Sequence, residues 1–87
     1  MTDYRVEVRV TPRRGILDPQ GSAVQGALRS LGFGGVEDVH VGRLIRFTLQ
    51  ADSQAEAGER VDAMCRQLLA NPVTEDYDVR VEALVPA

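Results

Sequence analysis

From Tyr4 to Val10 the chain alternates without a break: Val6, Val8 and Val10 share one side, and Arg5, Glu7 and Arg9 share the other. A period of two marks a half-buried strand, whose register is fixed because a one-residue slip would turn every valine to water. Such a strand cannot stand alone, so the rest of the chain must supply strand neighbours and a cover for its apolar face. Tyr77, Val79, Val81 and Ala83 repeat the pattern against Asp78, Arg80, Glu82 and Leu84. Ile45, Phe47 and Leu49 do so against Arg46, Thr48 and Gln50. Val36–Val41, with Val39 and Val41 inward, reads as a further strand, joined by a tight reversal at Val41-Gly42-Arg43-Leu44 into a hairpin.

Two stretches carry the helical period instead. Between Pro19 and Leu31, the residues Val24, Ala27, Leu28 and Leu31 fall at i, i+3, i+4 and i+7 and form one apolar stripe. Asp18 can cap this helix by accepting an orphan N–H, and Pro19 lacks the donor that a first turn cannot satisfy. Gly32 is the expected stop. Gly26 weakens the helix by about 1 kcal/mol relative to alanine, which is expected to mark close packing. Ser53-Gln54-Ala55-Glu56 has the capping-box pattern ahead of a second helix, with Ala57, Val61, Met64, Cys65 and Leu68 as its stripe. Asn71 is expected to end that helix in the left-handed conformation, and Pro72 prevents its continuation.

The order β-α-β-β-α-β predicts a single α+β domain over residues 1–87. Its economical packing is a two-layer, ferredoxin-like sandwich: a four-stranded, mainly antiparallel sheet with two helices on one face. The other face would present Arg5, Glu7, Arg9, His40, Arg46, Thr48, Arg80 and Glu82. With 44% hydrophobic residues but no tryptophan, the core must come from Val, Leu, Ile and Ala. A core of that kind in a chain this short leaves a net stability of about 5 kcal/mol, so self-association is expected.

Several kinds of chemistry lack the residues they need. All ten basic residues are arginine, which excludes a Schiff-base or P-loop lysine. A net charge of −3, with no aromatics interleaved among basic strand residues, gives no pull toward nucleic acid. No apolar run approaches the ~20 residues of a membrane helix, and no charged-then-apolar leader opens the chain, so a cytoplasmic protein is expected. His40 is the lone histidine and is read as solvated or at an interface; a metal site within the chain has no second imidazole. Cys65, the lone cysteine, falls on the apolar stripe and is read as core packing. Gly32-Phe33-Gly34-Gly35 lacks the GxGxxG spacing and precedes a strand, so it is a connection, not a phosphate cradle. Arg13-Arg14 is the better candidate anion contact. Glu37-Asp38 and Glu75-Asp76 lie in loops and place no carboxylate pair on a cleft wall. No catalytic, cofactor-binding or metal-binding residue is therefore assigned.

Two loop–helix junctions complete the pattern, Gly15-Ile16-Leu17-Asp18-Pro19-Gln20-Gly21 and Leu68-Leu69-Ala70-Asn71-Pro72-Val73. Together with Leu31-Gly32, with Val39-x-Val41-Gly42-Arg43, and with Glu75 and Tyr77, they resemble the PurS family, collinearly from Tyr4 to Leu84. That resemblance implies the small subunit of phosphoribosylformylglycinamidine (FGAM) synthase in de novo purine biosynthesis. In that family a large synthetase subunit uses ATP, with Mg, to activate the amide of formylglycinamide ribonucleotide, and a glutaminase subunit releases ammonia. PurS dimers bridge the two and support ammonia transfer. The partners implied are therefore the synthetase, the glutaminase and further copies of the chain, as a dimer or dimer of dimers, with no nucleic acid and no membrane. The interface is expected at Arg13, Arg14, Leu17, Asp18, Pro19, Gly21, Asn71 and Pro72, with ATP and Mg bound by the synthetase and not by this chain. Two alternatives stand beside this: a dimeric regulatory module binding a small metabolite, and a small enzyme using Arg13, Arg14 or His40 on an anionic substrate.

Overall fold

The structure is a computed structural model that describes residues 1–84; residues 85–87 of the expected domain lie outside the described residues. Its elements are β1 (Thr2–Pro12), α1 (Pro19–Ser30), β2 (Arg43–Ala51), α2 (Gln54–Met64), a π-helical turn (Cys65–Leu69) and β3 (Glu75–Ala83). The sheet has three strands in the order β2-β1-β3, both pairings antiparallel. β1 is central, and its alternation decides the fold: Tyr4, Val6, Val8 and Val10 are buried and make the spine of the core. Register places Val6 opposite Phe47 and Val81, and Val8 opposite Ile45 and Val79. On the other face Glu7 lies between Arg46 and Arg80, Arg5 opposite Glu82, and Arg9 opposite Asp78. Opposite charges directly across a pair add about 0.2–1 kcal/mol each and also fix register.

α2 and the π-helical turn after it cover the apolar face through Ala57, Val61 and Cys65, all fully buried. The Ser53 hydroxyl accepts the Glu56 N–H at 3.1 Å, and the Glu56 carboxylate reaches back to the Asp52 N–H at 3.1 Å, as a capping box should. Three side chains tie the helix to the edges: Tyr77 donates its phenolic O–H to Asp62, Gln54 donates to the Val81 carbonyl, and Arg60 to the Gln50 carbonyl.

Four expectations are corrected here. The segment 36–41 is not a strand, so the sheet has three strands and no hairpin there. Its backbone groups bond to α1 and not to β2. Gln25 takes the Val39 N–H, Asp18 takes the Val41 N–H, and Arg29 donates to the Val36 carbonyl. Asp38, at φ +56°, breaks the extended run. His40 therefore lies beside α1, not on the outer face of the sheet. Second, Val41–Leu44 is no reversal but the straight approach into β2. Third, the two helices do not share one face of the sheet. Only α2 packs on it, while α1 and the strap 36–41 form a finger leaving the sheet between β1 and β2. Fourth, Gly26 marks no close packing: a Cβ there would meet nothing within 4 Å.

The finger explains the shape. The radius of gyration is 16.8 Å, against about 12 Å for a compact chain of this length. The accessible surface is 6292 Å², against about 5,000 Å² expected for a folded monomer of 9.5 kDa.

The end of α1 follows the sequence closely. Gly32 takes φ +99°, its N–H bonds the Arg29 carbonyl, and the Phe33 N–H bonds the Leu28 carbonyl, closing a Schellman motif. The end of α2 does not. The π-helical turn at Cys65–Leu69 turns Leu68 out of the stripe, leaving it 82% exposed, and brings Leu69 toward the core. The chain then leaves the helix at Ala70 in an extended conformation. Asn71 is not left-handed, because the wider turn has already redirected the chain. Instead its carboxamide oxygen accepts the Val73 N–H at 3.0 Å, and its carbonyl accepts the N–H groups of Thr74 and Glu75.

Candidate functional site

The residues flanking the two junctions meet at one end of the sheet. Pro12 pairs with Glu75, and the Arg13 N–H bonds the Thr74 carbonyl at 2.9 Å, so the loop after β1 lies against the turn before β3. The Arg13 guanidinium reaches Asp76 at 3.2 Å. Both partners of that pair are largely solvated, so it holds orientation more than stability.

Asp18 organises the first junction. One carboxylate oxygen accepts the Gly21 N–H at 3.1 Å, which caps α1; the other accepts the Val41 N–H at 3.0 Å, which docks the strap. His40 approaches the same carboxylate at 3.4 Å and contacts Asp38 at 2.9 Å. The Gly21 N–H, then the Val41 N–H and then His40 hold the Asp18 carboxyl below its usual range. Gly21 is buried because the strap crosses it. A Cβ there would collide with the Val39 carbonyl oxygen and the Asp18 carboxylate. Gly42 is under the same constraint against the Val10 carbonyl oxygen, where the strap passes β1.

Arg43 organises the second junction. Its guanidinium grips Glu75 with two hydrogen bonds, of 2.8 and 3.1 Å, and donates a third to the Leu69 carbonyl at 2.6 Å. Glu75 also accepts the Asn71 N–H at 2.8 Å. Arg43 first, and the Asn71 N–H second, hold the Glu75 carboxyl below its usual range. One planar fork thus joins the start of β2, the end of the π-helical turn and the start of β3.

Of the expected interface residues, Asp18, Gly21 and Asn71 have their polar or close contacts inside this network. Pro19 stands at the first helical position. Arg14, Leu17 and Pro72 are exposed beside it, Leu17 at 84%. Arg43 and Glu75, which the sequence showed only as parts of motifs, are the residues that fasten the second junction to the starts of β2 and β3; their pairing crosses 32 positions and has no local signal.

Elsewhere the chemistry is sparse. Cys65 is fully buried, and burial pushes its thiol upward, with Asp62 adding to the effect. Among the described residues, no group of three or more His, Cys, Asp or Glu side chains could hold a metal ion. The outer sheet face forms a shallow charged depression of about 180 Å³ lined by Glu7, Arg9, Asp78 and Arg80. An apolar groove lies on the opposite side, along β2 and the π-helical turn. No helix of the described residues is long and apolar enough to cross a membrane.

Comparison with known proteins finds one consistent set of relatives. The family model PurS, described as phosphoribosylformylglycinamidine (FGAM) synthase, matches residues 5–83. The PurS subunit of that synthase from Synechocystis is 46% identical over 81 residues, which are 93% of this chain and 81% of the relative. The crystal structure of Bacillus subtilis PurS superposes with a TM-score of 0.82 at 44% identity, covering 91% of this chain and 98% of that one. A chain of the PurLQS structure from Thermotoga maritima superposes with a TM-score of 0.84 at 31% identity, covering 93% and 99%.

Proposed function

Because this chain belongs to the PurS family, and is thereby a subunit of FGAM synthase in purine biosynthesis, we propose that it is the non-catalytic bridge of that enzyme. In this reading it joins the ATP-dependent synthetase to the glutaminase and supports transfer of ammonia between them, in the cytoplasm. ATP and Mg belong to the synthetase subunit. The chain works as a homo-oligomer, a dimer or a dimer of dimers.

The family match across residues 5–83 carries this proposal. The geometry supports it, since the residues flanking the two motif-bearing junctions meet at one end of the sheet, where Pro12 pairs with Glu75 and the Arg13 N–H bonds the Thr74 carbonyl, and this end is taken as the docking surface. Within that surface Asp18, Pro19, Gly21 and Asn71 hold the shape, and Arg13, Arg14, Leu17 and Pro72 offer contacts to partners. Leu17 is the strongest of these, as an exposed apolar side chain fixed beside a rigid cap. The relatives are subunits of a synthase, so a metabolite-binding regulatory module is not favoured.

Reconstitution tests the proposal. The chain is mixed with the synthetase and glutaminase, and ATP turnover on formylglycinamide ribonucleotide is followed with glutamine and, separately, with ammonia. Glutamine-dependent turnover is expected to require the chain and to fall in Leu17→Asp. Unchanged glutamine-dependent turnover without the chain would refute the bridging role.

A further inference from the structure

His40 stands on the strap between the two residues whose backbone N–H groups fasten that strap to the finger. The Val39 N–H bonds the Gln25 carboxamide at 3.3 Å, and the Val41 N–H bonds Asp18 at 3.0 Å. The ring between them has a carboxylate at each nitrogen. Nε2 lies 2.9 Å from Asp38, and Nδ1 lies 3.4 Å from the Asp18 oxygen that also takes the Val41 N–H. Among the described residues no other carboxylate comes within ion-pair distance of the ring.

A carboxylate only accepts, so each contact needs an N–H on the nitrogen that faces it. The imidazolium has two N–H groups and satisfies both. Neutral imidazole has one, and either tautomer leaves a nitrogen lone pair facing a carboxylate oxygen. The ring must then turn away or hold one repulsive contact. Asp18 carries the larger consequence, since 10% of its side chain is exposed against 79% for Asp38, and water screens the Asp38 contact far better. Asp18 is also the cap of α1, through the Gly21 N–H at 3.1 Å.

The other neighbours supply no competing charge. β1 meets the strap at Gly42 through Val10 and Thr11, which are uncharged. On α1, Gln25 is neutral, and Arg29 donates to the Val36 carbonyl at the far end of the strap. Arg43, which follows the strap, is engaged with Glu75.

We propose that His40 is a proton-dependent latch on the finger: protonated, it holds the strap to the mouth of α1 through Asp18 and Asp38, and loss of the proton releases the strap while the sheet stays folded. The latched form holds one more proton than the released form, so acid favours it and alkali opens it. The Gly21 N–H, the Val41 N–H and His40 hold the Asp18 carboxyl below its usual range, so Asp18 stays ionised throughout. The change between about pH 5 and pH 8 therefore belongs to the imidazole.

Amide exchange in the full-length chain tests the latch, with each rate divided by the intrinsic rate at the same pH. From about pH 5 to pH 8, protection at Gly21, Val39 and Val41 is expected to fall about 3–10-fold, the loss of two partly solvated ion pairs, while Val6 and Val8 of β1 keep theirs. His40→Gln cannot titrate and His40→Arg keeps its charge, so both should lose the pH dependence, His40→Gln at the low level of protection. In Asp38→Asn one carboxylate remains, which the single N–H of neutral imidazole can serve, so the change should shrink to about 2-fold or less. Protection that ignores pH in the unmodified chain, or a pH dependence that survives in either His40 variant, would overturn the latch. An undiminished change in Asp38→Asn would overturn it too, because a histidine that merely fills space or bonds Asp18 alone would not respond to Asp38. The latch belongs to the single chain and needs no partner, so neither result bears on the bridging role.

Discussion

Gly21 and Gly26 lie five positions apart in α1, and replacing each with alanine should change stability in opposite directions. Helix propensity alone predicts a gain at both, at most about 1 kcal/mol. The structure allows that gain only at Gly26, where a Cβ enters open space. At Gly21 the new methyl would overlap the Val39 carbonyl oxygen and the carboxylate that caps the helix. The strap must then lift or the cap must turn. The bonds at risk are the Val41 N–H to Asp18, at 3.0 Å, and the Val39 N–H to Gln25, at 3.3 Å. Overpacking costs about 1–3 kcal/mol, and so deep an overlap with a backbone oxygen falls at about 2–3 kcal/mol, which leaves Gly21→Ala destabilising by about 1–2 kcal/mol after the propensity gain. Amide exchange is the right assay, because the finger is attached by few contacts and can open without the sheet. Exchange at Val39, Val41 and the first turns of α1 should accelerate about 5–30-fold in Gly21→Ala. In Gly26→Ala it should slow by about 2–5-fold. If Gly21→Ala protects α1 as well as Gly26→Ala does, the strap does not press on the helix and the account of the finger is wrong.

Val8→Ala removes two fully buried methyl groups from the centre of the core and should cost about 2–3 kcal/mol, read as a lowered urea midpoint with an unchanged slope. The Asp18 and Glu75 carboxyls are held below 3.8 and 4.5, their ordinary values, so their contribution is complete above those values and is lost as pH falls through the folded ones. Thermal unfolding followed from pH 7 to pH 3 should therefore show an acid decline that is shallower in Glu75→Gln; an identical decline would refute the Arg43–Glu75 contribution. Cys65 is buried with a raised thiol pKa, so a thiol reagent should react slowly with the native protein and rapidly in denaturant; rapid native reaction would refute its core placement.

The elements with local causes were legible in the sequence. β1 declared itself by alternation, α1 by Asp18, Pro19 and its Schellman glycine, and α2 by its capping box. What escaped was decided at long range. Val36–Val41 has the composition of a strand, and only the side chains of Asp18, Gln25 and Arg29 divert its backbone groups to the helix. Leu68 kept the helical period on paper, yet one π-helical turn moved it into solvent and Leu69 inward. That turn closes on its own backbone, the Ala70 N–H bonding the Cys65 carbonyl at 3.0 Å, and leaves no mark in composition. Arg43 and Glu75 were present as motif letters, but their pairing depends on the strand register, which periodicity alone does not give.

These long-range decisions share one consequence. Had 36–41 paired with β2, α1 would have been drawn back over the sheet, and the apolar face would have closed within one chain. The diversion of that segment instead leaves a helix stripe and a sheet groove exposed on the same molecule. Asp18 ties the strap to the start of α1 through the Val41 and Gly21 N–H groups, so this exposure follows from specific bonds in the fold. An arm and an open groove on one chain offer surfaces for assembly, which is what a bridging subunit must supply. Glu75→Gln is therefore expected to disturb partner alignment before it disturbs the core, because the fork it shares with Arg43 fastens the second junction to the starts of β2 and β3 at the exposed end of the sheet.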